Sequence, residues 1–351
     1  MVNKSPRELL EVPSAWSTTQ MRESLIAALA GTGPALAFGV SRFSSVDSDI
    51  AVVIPTSGST GQPKEVALSS KALLASANAS HQYLGAKMGD RWSLFLPTSH
   101  IAGVNVLVRA ITLGSEIAEA DFEFTSIVPT QLFRALNEKG EFLVRLQNAK
   151  AVLVGGAAAS QELLDAAREH GINVVTTYGM SEMSGGCIYN NEPLRGVDVD
   201  IRDDGRVALR GAMQASAYLG SSISLADESG WFLTNDAGYF KDGKLFIRGR
   251  MDDQIISGGE KISLGTIDEY LNSTTNYEYM SCGIEHEEWG QQLCLASSIE
   301  INVEDVSDAL RERFGSHCVP KLFLSNIELP LTSIGKPDRQ ALSKKFEMIR
   351  P

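Results

Sequence analysis

The chain has 351 residues, 43% hydrophobic and 21% charged, with a formal net charge of -12. This is the balance of a globular protein long enough for two or three domains, and the acidic excess argues against nucleic acid or an anionic membrane as the main partner. Four cysteines, Cys187, Cys282, Cys294 and Cys318, lack Cys-x-x-Cys spacing, which argues against a zinc knuckle or redox pair and fits reduced thiols in a cytoplasmic protein. No run reads as transmembrane: the apolar stretch 26–40 is broken by Gly31, Gly33 and Pro34 and has no basic lead-in.

Residues 1–47 read as a preamble. Met21, Leu25, Ile26 and Leu29 fall at helical spacing, with Thr19 as the expected cap and Gly31 as the stop. Residues 50–54 are an apolar, β-branched run expected to be a buried strand. It feeds Thr56-Ser57-Gly58-Ser59-Thr60-Gly61-Gln62-Pro63-Lys64. Hydroxyl and glycine residues in sequence bend tightly and offer N–H groups and hydroxyls to an anion, and Lys64 adds charge. The spacing is not that of a Walker A loop. Two readings stay open for this stretch alone, a phosphate cradle and a plain surface turn. A helix starting at Ser69 or Ser70 is expected to aim its N–H groups at the same anion.

A strand near 94–96 then leads through Pro97 to His100 and an apolar helix reaching Gly114. His100 at that junction either faces a cleft or bonds the turn. Arg109 interrupts the apolar helix and needs a carboxylate, from the protein or from a ligand. Residues 124–179 alternate in α/β fashion, with strands at 151–154 and 172–177, the expected pattern of a parallel sheet with crossover helices. Gly155-Gly156-Ala157 and Tyr178-Gly179-Met180-Ser181-Glu182 stand at strand ends, where open α/β sheets bind ligands.

From Gly196 the pattern changes to short strands and hairpins, with turns at 203–205 and 242–243, and reads as a small antiparallel sheet or barrel. Asp236 and Arg250 lie here; alone, they are a turn residue and an ion-pair partner. The last hundred residues read as a separate α+β unit. Helices are expected near 264–272 and 303–314, and strands near 280–285, 293–299 and 321–327, with a second flexible loop at Ser257-Gly258-Gly259-Glu260-Lys261.

The order of the motifs resembles the adenylate-forming (AMP-binding) superfamily of acyl- and aryl-CoA synthetases, peptide-synthetase adenylation domains and luciferases. The likeness is carried by the 56–64 stretch, then Tyr178 to Glu182, then Gly230-Trp231-Phe232-x-Thr234-x-Asp236, then Gly249-Arg250-x-Asp252-Asp253, then Pro330-x4-Gly335-Lys336-x2-Arg339. Thr177 to Tyr189, with Pro193-Leu194 and Gly196-Val197, is most similar to the o-succinylbenzoate–CoA ligases of menaquinone synthesis, of the short actinobacterial type. The resemblance implies an α/β fold: a large N-terminal domain of α/β sheets plus a small antiparallel sheet or barrel, residues 1–251, and a small mobile α+β domain, residues 252–351. It also implies ATP, Mg2+ and coenzyme A, a small-molecule acid, no nucleic acid and no integral membrane segment.

By the same resemblance, Thr56, Ser57, Gly58, Ser59, Thr60, Gly61 and Lys64 would hold the β- and γ-phosphates. Glu182 would bind Mg2+ with help from Thr60, and Ser181 would contact phosphate. Gly155, Gly156 and Ala157 would lie against adenine, with Thr177, Tyr178, Gly179 and Met180 beside it and Tyr178 stacked on the base. Asp236 would accept the ribose hydroxyls and Arg250 would reach the same sugar. Lys336 would bridge α-phosphate and carboxylate, Asp252 would be the hinge, and Gly258, Gly259 and Lys261 would line the coenzyme A arm. His100 would stand where carboxylate and thiol meet. Gly103, Ser184, Gly185 and Gly186 would line the acid site, and Arg109 would attract the distal carboxylate, with Arg195 as the alternative. The chain departs from the family at Thr266, where a Glu is usual, and at Ala158, where proline is frequent. Its phosphate stretch begins at Thr56, far earlier than in most relatives, leaving an apolar face that a second copy of the chain would cover. The alternatives are another aryl- or acyl-acid CoA ligase and a non-catalytic nucleotide-binding regulator.

Overall fold

The computed structural model describes residues 6–56, 64–251, 253–274, 278–331 and 337–349. These divide into two units, Met1–Thr234 with Phe240–Phe246, and Asn235–Tyr239 with Ile247–Pro351. In the first unit the apolar run opens the strand Ile50–Thr56, whose first five residues are buried. It pairs antiparallel with Lys64–Ser69, Thr56 opposite Lys64; residues 57–63, which join the two strands in sequence, lie outside the described residues. The pair lies in a six-stranded sheet ordered Ala217–Tyr218, Lys64–Ser69, Ile50–Thr56, Ala35–Ala37, Pro6–Glu11, Ser45–Asp47.

A second six-stranded sheet holds the expected parallel strands Trp92–Leu94, Phe124–Ile127, Ala151–Gly155 and Val174–Met180. It ends in the antiparallel strands Gly185–Tyr189 and Glu192–Pro193. The helices Thr18–Ala30, Ser70–Leu84 and Ile101–Thr112 share one core with the first sheet, through Leu25, Leu36, Ile54, Leu68, Leu73, Val104 and Leu107. The helices Pro129–Glu138, Glu141–Asn148 and Gln161–Glu169 cover the second sheet through Leu132, Leu146, Val152 and Leu164.

Two local expectations change. The first helix is capped by Ser17, not Thr19, because the Gln20 side chain completes a reciprocal capping box with Ser17. The helix after these two strands starts at the opposite end of the pair from Thr56 and Lys64. Six residues of strand intervene, about 20 Å of extended chain. Of the helix's first N–H groups, that of Ala72 is taken by the Ser69 hydroxyl and that of Ser70 by Asp49 O, so the helix start stands beside Asp49 and not beside Thr56 and Lys64. Farther on, Val197–Ile201 and Arg206–Gly211 pair antiparallel, in one sheet with Phe232–Lys241 and Lys244–Arg250.

The second unit is α+β. Tyr279–His286 and Gly290–Ser297 form its central antiparallel pair, with Leu322–Leu324 parallel to the latter. The expected flexible loop at 257–261 is instead a tight hairpin: Gln254–Ser257 pairs with Glu260–Ser263 around Gly258 and Gly259, both in the left-handed region that a two-residue turn uses. The helix Arg339–Ile349 was not expected. Asp338 caps it through Ala341 N, and Leu342 and Phe346, one turn apart, are fully buried.

Arg339 anchors this unit. One Nη donates to Asp268 Oδ2 at 2.6 Å and to Ser281 O at 2.6 Å, while Ser281 N donates to Asp268 Oδ1 at 2.7 Å. Burial pushes the Asp268 carboxyl above its ordinary value, with the Arg339 charge pulling the other way. Removing one partner of a buried pair strands the other charge. Asp268→Ala should therefore destabilise the second unit by about 3–5 kcal/mol in urea unfolding; a loss below about 0.5 kcal/mol, the scale of a surface substitution, would contradict the anchoring role.

Candidate active site

The four parallel strands deliver their carboxyl ends to one edge of the second sheet. His100 follows Trp92–Leu94 and is the N-cap of Ile101–Thr112, without a side-chain capping bond. Gly103, one turn into that helix, packs on the strand exit: a Cβ there would lie 2.4 Å from Pro97 O. Gly155 ends its strand opposite Thr177, and a Cβ on it would meet Thr177 Oγ1 at 2.1 Å. Bare backbone is thus needed where Gly155 meets Thr177. Tyr178, Gly179 and Met180 complete the longest strand of the parallel set and pair with Ile188, Gly186 and Gly185.

The chain then makes one short turn, Ser181–Met183, carrying Glu182. Ser184, φ 51°, closes it. The Ser184 carbonyl accepts from Asn105 Nδ2 at 2.7 Å and from Ser76 Oγ at 3.0 Å, and its hydroxyl donates to Met213 O at 2.7 Å. Ser184 is fully buried, so its side chain clamps the turn. Gly185, φ 97°, sits where a Cβ would strike Asn105 Nδ2 at 2.1 Å. Two helices and a loop therefore fix the backbone on which Glu182 stands.

Glu182 meets the first sheet through Tyr218. The Tyr218 hydroxyl donates to Glu182 Oε1 at 2.8 Å, and Lys64 Nζ lies 4.9 Å from the Tyr218 ring centroid. Burial and the Glu182 charge push the phenol above its ordinary range, keeping it a donor. Among the described residues, Glu182 Oε2 has no protein partner, and no cluster of three His, Cys, Asp or Glu residues could form a metal cage. One carboxylate with an oxygen left over suits Mg2+, which is held by one or two carboxylates, water and substrate phosphates.

Arg109 is 3% exposed. Its Nη2 donates to Tyr189 Oη at 2.9 Å, its Nη1 reaches Ser126 Oγ at 3.5 Å, and its guanidinium lies 4.9 Å over Trp92. Among the described residues no carboxylate pairs with it, and its Nε has no acceptor. His81 also stands against Trp92, and burial, then the Arg109 charge, push its imidazole down to about 4. Arg195 is exposed and reaches Gln82 Oε1 at 3.4 Å.

In the second unit Met251 N donates to Asn235 O at 2.6 Å, bringing the strands of Asp236 and Arg250 side by side. Lys261 is exposed on the 254–263 hairpin. Ser57, Gly58, Ser59, Thr60, Gly61, Asp252 and Lys336 lie outside the described residues. Sequence reasoning missed Tyr218, Asn105, Ser76 and Tyr189, whose importance comes from partners 36 to 109 residues away; no short motif carries that signal.

Residues 35–251 match the family model described as AMP-binding enzyme. A probable 2-succinylbenzoate–CoA ligase of Mycobacterium tuberculosis is 34% identical, over 96% of this chain and 98% of that protein. The 2-succinylbenzoate–CoA ligase of Escherichia coli is 36% identical, over 59% of this chain and 49% of its own length. Among solved structures, an E. coli MenE variant with bound OSB-AMS is similar with TM-score 0.74 at 25% identity, over 97% of this chain and 82% of that one. The o-succinylbenzoate CoA synthetase of Bacillus subtilis shares the fold, with TM-score 0.77 at 24% identity, over 95% of this chain and 78% of that one.

The buried imidazole has a measurable consequence. A folded value near 4 against 6.5 means that the unfolded chain binds more protons between those limits, so stability falls as pH drops through them. This one group should remove roughly 3 kcal/mol of unfolding free energy between pH 7 and pH 4. His81→Gln should flatten the urea-derived stability profile by that amount; an unchanged slope would contradict a neutral, buried His81.

Proposed function

The chain belongs to the AMP-binding enzyme family, and from that premise we propose that it is an ATP-dependent o-succinylbenzoate–CoA ligase of menaquinone biosynthesis. The observation that carries the choice of acid is the buried Arg109 guanidinium, which no carboxylate among the described residues neutralises. A second carboxylate on the substrate would supply the missing anion.

In this reading a substrate carboxylate oxygen attacks the α-phosphorus of ATP and pyrophosphate leaves. The thiol sulfur of coenzyme A then attacks the acyl carbon of the mixed anhydride and AMP leaves. The first step brings an anion to a polyanion, so fixed cations and N–H donors lower its barrier. The glycine and hydroxyl stretch, residues 56–64, cradles the β- and γ-phosphates, with Lys64 at its end. Glu182, with Thr60, holds Mg2+, which when bound screens the phosphate charge and that of departing pyrophosphate. Gly155, Gly156, Ala157 and Tyr178 receive adenine; Asp236 and Arg250 take the ribose. Lys336 bridges the α-phosphate and the acid. His100 stands by the reacting carboxylate, and Gly103 and Gly185 shape the wall of that site. For thioester formation the family's domain rotation about Asp252 would present Gly258, Gly259 and Lys261 to the coenzyme A arm. The reading places the enzyme in the cytoplasm.

Pyrophosphate release over a panel of acids tests the assignment. o-Succinylbenzoate should be preferred, and activity with benzoate or fatty acids but not with o-succinylbenzoate would overturn it. Arg109→Ala should raise KM for o-succinylbenzoate roughly 10–100-fold, the worth of a charged hydrogen bond, and spare KM for ATP; equal effects on both would contradict a carboxylate contact. Lys336→Ala should abolish adenylation, and an unchanged rate would remove Lys336 from the chemistry.

A further inference from the structure

One side chain links the two halves of the phosphate site. Tyr218 stands on the short strand Ala217–Tyr218, opposite Val66. Lys64 is two residues from Val66 on the partner strand and so projects from the same face of the sheet. The Lys64 ammonium lies over one part of the Tyr218 side chain, the ring, and Glu182 Oε1 accepts from the other, the hydroxyl. The backbone repeats the link. Ala215 N donates to Glu182 O at 2.8 Å, while Ser216 N and Leu219 N donate to Ala67 O and Glu65 O. Both the main chain and the carboxylate of Glu182 are therefore tied to the strand Lys64–Ser69.

We infer that Tyr218 is a positioning residue for the divalent cation that accompanies ATP, an inference that rests on the reading of Glu182 as the metal-binding carboxylate. With Oε1 held by the phenol, Oε2 is the oxygen left for a hard cation, and the carboxylate is fixed before the cation arrives. A partner that orients a ligating carboxylate sets metal affinity without touching the metal. The ring has a separate task. It seats the Lys64 ammonium at the start of the strand Lys64–Ser69. The hydroxyl thus acts on the cation and the ring on the lysine, so the two can be separated by substitution.

The test is equilibrium binding of ATP to the full chain by titration calorimetry, without acid or coenzyme A, at a series of free Mg2+ concentrations and in EDTA. Tyr218→Phe keeps the ring and should raise the Mg2+ concentration for half-maximal enhancement of ATP affinity roughly tenfold, leaving affinity in EDTA unchanged. Tyr218→Leu should show the same Mg2+ shift and also weaken binding in EDTA. Glu182→Gln keeps an acceptor for the phenol and should abolish Mg2+ dependence; adding Tyr218→Phe to it should change nothing further. The inference is overturned by a wild-type Mg2+ midpoint in Tyr218→Phe, or by a Tyr218→Phe shift that persists beside Glu182→Gln. If wild-type ATP binding ignores Mg2+, or if Glu182→Gln retains the dependence, the reading of Glu182 falls and the inference with it. A Mg2+-dependent wild type with an indifferent Tyr218→Phe overturns the inference alone.

Discussion

The hydrogen bond from Tyr218 to Glu182, 2.8 Å long, is the side-chain contact that ties the two sheets of the first unit together at the candidate site. The two six-stranded sheets carry different halves of the candidate site. One presents the strands Ile50–Thr56 and Lys64–Ser69, which flank the glycine and hydroxyl stretch in sequence; the other presents the strand ends and the acidic turn. Packed apolar side chains hold such layers together but tolerate small shifts. A phosphate site needs tighter geometry, since an electrostatic contact displaced by an ångström loses much of its effect. The 215–219 segment supplies that registration through three backbone bonds and one side-chain bond. The Ser184 network does the same from the opposite side, through Asn105, Ser76 and Met213.

A second constraint is the unneutralised cation beneath that turn. Burying a guanidinium is costly unless hydrogen bonds and a counter-charge replace its water. Tyr189, Ser126 and the Trp92 face supply part of the replacement, and Nε is left unbonded. Arg109 also drives His81 toward its neutral form, so that one cation rather than two is held there. Tyr189 is tied in turn to Ser80, 2.9 Å away, and the guanidinium is fixed in place without being discharged. An anion reaching it would find an oriented donor, which is the arrangement expected of a specificity element rather than of a structural ion pair.

Much of this was readable from residue patterns, and the failures have physical causes. Residues 50–54 gave a buried strand because five apolar residues in sequence admit few other fates. The parallel strands followed from short apolar runs separated by helical periodicity. The helix Ser70–Leu84 was aimed wrongly because Lys64–Ser69 is too short and mixed to register as a strand until its partner Ile50–Thr56 is in view. Gly258-Gly259 was read as slack, though two left-handed residues between alternating strands make a tight turn. Arg109 was singled out for its charge, but its neutral cage was hidden, since Trp92, Ser126 and Tyr189 come from three separate strands. Tyr218 was missed entirely. A tyrosine in a short loop-like segment has no local signature, and its meaning comes only from the sheet register that sets it between Lys64 and Glu182.

The most direct measurement is a crystal structure of the full chain grown with ATP and Mn2+ as a stand-in for Mg2+, located by its anomalous signal. The account predicts one metal peak at about 2.1 Å from Glu182 Oε2, with Tyr218 still on Oε1 and the terminal phosphates against residues 56–64. A peak bound through Oε1 with Tyr218 displaced, or a nucleotide seated away from that stretch and the end of the Val174–Met180 strand, would contradict it.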